Sequence, residues 1–157
     1  MNLRHVVAAM FLLLVTVALS YSQPKKLTDV EGIGPAYEQK LMKAGIQKPM
    51  QLHDAASTKK GREELAEKTG ISSTLLLNWV NRIDLARVKG VGTQYADLLE
   101  KAGVDSPKEL ARRNAANLME QLKKTNDEKK LVRKLPTEKQ VEGWIKAAKS
   151  LNTKTEE

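Results

Sequence analysis

Cysteine is absent from the chain. That excludes disulfides, thiolate chemistry and a lipid-modified cysteine, so an apolar core must hold the fold. Aromatic residues are scarce: one Phe, two Trp and three Tyr in 157 residues. So few rings do not build a platform for stacking single-stranded bases. Histidine occurs only at His5 and His53, which leaves no His/Cys cluster for zinc. His53, beside Asp54, reads as a surface or capping residue rather than a catalytic one. No nucleophile motif or Walker-type phosphate loop is present. Glu63, Glu64 and Glu67 share a stretch with Lys59, Lys60 and Lys68 and read as helix-surface ion pairs. No segment sustains the apolar/polar alternation of a strand. The sequence therefore reads as all-α and non-enzymatic, with no cofactor, no metal and no small-molecule substrate evident.

One long apolar run exists. Residues 6–19 are apolar except for Thr16, and Arg4 precedes them. Small residues follow at Ala18-Leu19-Ser20 and Ser20-Tyr21-Ser22. This is a secretory signal pattern, expected to be cleaved near residue 22. The run is shorter than the roughly 20 residues of a spanning helix; an uncleaved membrane anchor is the alternative. The expected address is secreted or periplasmic.

The chain carries a net charge of +8, and the excess is uneven. Residues 23–107 hold 13 basic and 11 acidic groups, whereas residues 108–149 hold 12 and 6. A basic second half attracts polyanions, or simply keeps the surface solvated.

The chain repeats itself at a spacing of 58 residues. Val30-Glu31-Gly32-Ile33-Gly34-Pro35-Ala36-Tyr37 returns as Val88-Lys89-Gly90-Val91-Gly92-Thr93-Gln94-Tyr95, and eleven of the 26 positions from 27 to 52 are identical to their counterparts. A repeat of this kind decides architecture. Each unit reads as about five short helices, with units at 23–82 and 83–150, a polar tail at 151–157, and pseudo-twofold packing around a shared core.

Local signals place the helices. Thr28 with Glu31 has the capping-box spacing. Gly32-Ile33-Gly34 breaks the first helix, and Pro35 suits the first position of the next. Gly45 is a stop. Further helices are expected over 50–56, 61–68 and from Ser72 or Ser73 onward. In the second unit a lead helix is expected over 83–88, then a break at Gly90-Val91-Gly92. Ser106-Pro107 is a start signal, a helix is expected over 117–124, and an insertion over 126–135. Thr137 caps the last helix. Tyr37, Tyr95, Trp79 and Trp144 fall on apolar faces and read as core.

The residues Leu27, Val30, Gly32, Ile33, Gly34, Leu41 and Gly45-Ile46 fit the helix-hairpin-helix motif, as do Leu85, Val88, Gly90, Val91, Gly92, Leu99 and Gly103-Val104. The chain resembles a bacterial secreted family of tandem helix-hairpin-helix domains described as a domain of unknown function. In DNA-binding members of the motif, backbone N–H groups of the hairpin and of the following helix hold a phosphate. The resemblance implies that role for Gly32, Ile33, Gly34 and Ala36, and for Gly90, Val91, Gly92 and Gln94, with the Thr93 hydroxyl as an added donor. Pro35 offers no N–H. Helix N-termini favour anions on general grounds as well.

Charge separates the two hairpins. Asp29 and Glu31 flank the first, Arg87 and Lys89 the second. The second is therefore the expected polyanion contact, with Lys101, Arg112, Arg113 and the cluster Lys123, Lys124, Lys129, Lys130, Arg133, Lys134 as candidate extensions. Two functions follow as expectations: an exported interaction or scaffold module with residual affinity for a polyanion such as duplex DNA, or a dedicated DNA-binding protein of the cell envelope. The partner of the first is an envelope protein.

Overall fold

The computed structural model describes residues 23–154. The expected signal segment, 1–22, and residues 155–157 of the tail lie outside them. Among the described residues there are eight α-helices and no strand, and no helix is long and apolar enough to cross a membrane.

After a 3₁₀ turn at Leu27–Asp29, the first half contains α1 (Pro35–Lys43), α2 (Pro49–Ala56) and α3 (Lys59–Thr69), and α4 (Ser73–Ala86) joins it to the second. The second half contains α5 (Gly92–Lys101), α6 (Pro107–Ala111), α7 (Ala115–Lys129) and α8 (Glu138–Lys154). Helix α4 packs on α2, α3 and α5; α8 packs on α6 and α7.

Several starts follow from side chains that satisfy orphan amides. Ser72 accepts from the Leu75 N–H at 3.2 Å and Ser106 from the Glu109 N–H at 3.1 Å. Thr137 and Gln140 exchange hydrogen bonds of 3.2 and 2.9 Å, a complete capping box. Thr58 caps α3, which begins two residues before the expected start. The backbone pattern recurs at the repeat spacing. Val30 and Val88 donate to Leu27 and Leu85, Ile33 and Val91 to Val30 and Val88, and Ile46 and Val104 to Leu41 and Leu99, all at 2.9–3.1 Å.

Several expectations need correction. The Thr28/Glu31 capping box does not form; Asp29 accepts from the Lys25 and Lys26 amides instead, both at 2.9 Å. The Lys26 amide foremost lowers the Asp29 pKa; burial, the next-largest effect, opposes it, and the Lys25 amide and the two lysine charges add to the lowering. The lead helix expected over 83–88 is not separate, because α4 runs unbroken to Ala86. Nothing in Asn81-Arg82-Ile83-Asp84 interrupts a helix, and Leu76, Trp79, Val80 and Ile83 form one buried stripe.

Helix α7 extends five residues beyond its expected end and stops at Lys130, whose φ is 53°. There the Asn126 side chain donates to the Val132 carbonyl at 3.0 Å and accepts from its amide at 2.9 Å. Finally, α8 continues to Lys154, into the expected tail.

The buried apolar residues form two clusters, not one. The first runs from Leu27 to Ile83 and contains Trp79; the second runs from Leu85 to Ala148 and contains Trp144. The clusters meet at α4, where one buried charge crosses between them.

Candidate functional site

That charge is Arg82, 7% exposed. Its Nη1 donates to the Glu31 carbonyl at 2.6 Å, in the first glycine turn. Its Nε donates to Glu100 on α5 at 2.8 Å. Its Nη2 lies 3.0 Å from Asp97 Oδ1, an ion pair too poorly aligned to be a hydrogen bond, since that oxygen is buried without one. One guanidinium thus holds the first turn against α5. A signal was visible: an arginine in the apolar stripe of α4. Its partners lay too far along the chain to be named.

The two turns are alike at their first glycine. Gly32 and Gly90 have φ of 90° and 92°, a region that favours glycine. Each lies on the tryptophan of its own half. A Cβ on Gly32 would come 3.0 Å from Trp79 Nε1, and one on Gly90 3.2 Å from Trp144. Tyr37 meets Trp79 edge-on with centroids 5.1 Å apart, and Tyr95 meets Trp144 at 5.0 Å.

They differ at the second glycine. Gly34 is an exposed N-cap with φ −84°, and Pro35 opens α1. Gly92 is buried, has φ 64°, and is itself the first residue of α5. Proline lacks an N–H and prefers the first helical position; with Thr93 there instead, the second helix begins one residue earlier.

The implied anion donors are not gathered at one place. Ile33 and Val91 are buried, and their amides close their own turns on Val30 and Val88 at 3.0 and 3.1 Å. Both are thereby removed from the donor set. In the first turn Gly32, Gly34 and Ala36 are exposed. In the second, Gly90 is half-buried and Gly92 buried. Thr93 and Gln94, at the start of α5, line a cleft of about 360 Å³ with Asp29, Glu31, Asp97 and Lys130. The first half thus sets its acids before the helix N-terminus expected to attract an anion.

Arg87 and Lys89 open elsewhere. With Gly90 they line a mainly apolar groove of about 710 Å³ against Gln140, Gly143, Trp144 and Ala147 of α8. Arg87 Nη1 is held by Asp84 at 2.7 Å, and His53 Nε2 lies 3.5 Å from the same carboxylate oxygen. Lys89 is exposed. The fold therefore separates the cations of the second turn from the amides that follow them. No spacing in the sequence signalled the groove.

The other cations are dispersed, with Lys130 alone among them in the cleft at Thr93 and Gln94. Lys101 and Arg112 are exposed, Arg113 pairs with Glu109 at 2.9 Å, and Lys123 pairs with Asp127 at 3.0 Å. Lys124, Lys129, Lys130, Arg133 and Lys134 are exposed, and the Lys134 carbonyl accepts from the Tyr95 hydroxyl at 3.2 Å.

No curated protein and no solved structure matches the chain. The profile of one family matches residues 31–151, from the first turn to the end of the second core. The chain belongs to that family, described as a domain of unknown function, DUF4332.

Proposed function

We propose that the protein is an exported, non-catalytic interaction module built from two helix-hairpin-helix repeats, and that its contact surface is the groove beside the second turn. The observation that carries the reading is the pairing of that groove with Arg87 and Lys89, in a lining separate from the cleft that holds the acids of the first turn. A pocket of about 710 Å³ with apolar walls and a few polar groups has the make-up of a binding site. The titratable side chains around it are a paired arginine and a lysine, which suit recognition better than proton transfer. The test is affinity capture from envelope extract. A stoichiometric protein partner that survives nuclease treatment supports the module; capture lost with nuclease overturns it.

The second reading is a dedicated DNA-binding protein of the envelope. It is favoured by the Arg87/Lys89 pair and by the basic excess over residues 108–149. Such binding involves the phosphate backbone and falls steeply with salt. Anisotropy of a labelled duplex across a salt series decides it: tight, salt-sensitive binding lost in Gly90→Asp supports this reading, and no binding at low salt ends it.

A further inference from the structure

Both ring nitrogens of His53, on α2, lie near carboxylates. Nδ1 is 3.5 Å from Asp54 Oδ1, and Nε2 is 3.5 Å from Asp84 Oδ1 on α4. Nδ1 is buried and makes no hydrogen bond. A neutral imidazole has one N–H and one lone pair, so it can donate to one of these acids; an imidazolium has two N–H donors and can serve both. Asp84 Oδ1 is also the oxygen to which Arg87 Nη1 donates at 2.7 Å. One carboxylate oxygen thus stands between a permanent cation and a side chain of the type that gains its charge between about pH 5 and 8. The fold does not need a ring at this place: at the repeat spacing of 58 residues, His53 falls on Ala111, the last residue of α6.

We propose that His53 and Arg87 compete for Asp84, and that mild acid releases Arg87. Protonation of His53 brings a second positive charge to an oxygen that already holds one. The helices packed on α2 are α3 and α4. From α3, Arg62 donates to the Ala56 and Ser57 carbonyls, while Lys59 and Lys60 pair with Glu63 and Glu64. From α4 comes Asp84, with Arg87 just beyond the helix end. On α2 itself the Asp54 side chain is 76% exposed, so water screens it; that of Asp84 is 25% exposed. Asp84 is therefore the acid that answers to the His53 proton. The His53 side chain is 19% exposed and that of Arg87 35%. The more enclosed pair is the less screened, so the guanidinium is the partner that lets go. Once free, Arg87 adds its charge to that of Lys89 in the lining of the groove. Contact with an anionic partner then strengthens in acid. That consequence rests on the groove being the contact surface; the release of Arg87 does not.

The experiment is an NMR pH titration of the full-length chain, without a partner, from about pH 8 to pH 5. It follows the His53 ring C–H and the Arg87 Nε–H. The chain has two histidines, His5 and His53, and His53→Gln identifies the second by loss of its signal. The Arg87 signal should move with the same midpoint as the His53 ring, and should stay flat in His53→Gln. By linkage, Arg87→Gln should move the His53 midpoint upward, because a competing cation is gone. Asp84→Asn should move it downward and abolish the Arg87 transition. The two tryptophan indole N–H signals, one in each core, should hold still throughout. The proposal is overturned by an Arg87 signal that stays flat while His53 titrates, by an Arg87 transition that persists in His53→Gln, by a His53 midpoint unmoved in Arg87→Gln, or by indole shifts that follow the same curve and so report a general loosening. A flat Arg87 ends the switch and leaves the contact surface standing; failed capture from envelope extract ends the contact surface and leaves the switch standing.

Discussion

Arg82 on α4 donates to the backbone carbonyl of Glu31 at 2.6 Å, 51 residues away in the chain. The same side chain is 8% exposed and lies between the carboxylates of Asp97 and Glu100, which are 9% and 10% exposed. Removing it leaves two carboxylates enclosed without a counter-charge. Arg82→Ala should therefore destabilise the protein by about 3–5 kcal/mol. Urea unfolding followed by circular dichroism checks this, and a loss near zero would mean that the first turn needs no clamp.

The glycines of the turns should rank by conformation and space. Gly32→Ala puts a Cβ at φ 90° and 3.0 Å from both Trp79 and Arg82. It should cost about 1–3 kcal/mol. Gly90→Ala has the same backbone strain and a slightly looser 3.2 Å approach, so it should cost somewhat less. Gly34 has φ −84°, and a Cβ there meets nothing among the described residues within 4 Å. At that N-cap, Gly34→Ser should stabilise by a few tenths of a kcal/mol. Thermal melts of the three variants give the order directly.

Asp29 sets an acid limb on stability. Its folded pKa is lowered, first of all by the Lys26 amide. A depressed carboxyl pKa contributes stability that is fully present above the unfolded value and is lost as pH falls through the folded one. Asp29→Asn should therefore melt below the parent at neutral pH, and the gap should close once the pH falls below the carboxylate range. A gap constant down to pH 2 would refute the assignment.

In the cleft before α5 the described lining sets three acids, Asp29, Glu31 and Asp97, against one base, Lys130. Glu31→Lys copies Lys89, the residue at the corresponding place in the second half, and removes an acid facing Thr93 and Gln94. Duplex DNA affinity at low salt should rise several-fold, with a steeper salt dependence. Anisotropy of a labelled duplex measures both. Unchanged affinity would mean that the acids of the first turn do not guard that helix N-terminus.

What could be read in the chain was what local chemistry encodes. Ser72, Ser106 and Thr137 bond amides three residues away, so their helix starts are written beside them. Gly32 and Gly90 mark turns because few other residues tolerate a φ near 90°. Trp79 and Trp144 lie on apolar helical faces and are buried. Non-local chemistry stayed hidden. Trp79 and Trp144 could be matched in role, but the partners of Arg82, Glu31 at 51 residues and Glu100 at 18, could not be read from the chain. The repeat boundary at residues 82 and 83 is not a structural boundary, because α4 runs through it to Ala86. Arg87, Lys89, Thr93 and Gln94 are close in sequence, yet α5 starts between them and sends them to different faces.

The most direct measurement is hydrogen–deuterium exchange on the chain alone and with the captured partner. The account predicts added protection over residues 86–90 and 140–147, the two walls of the groove. Protection confined to residues 32–36, or to the basic stretch 123–134, would contradict it.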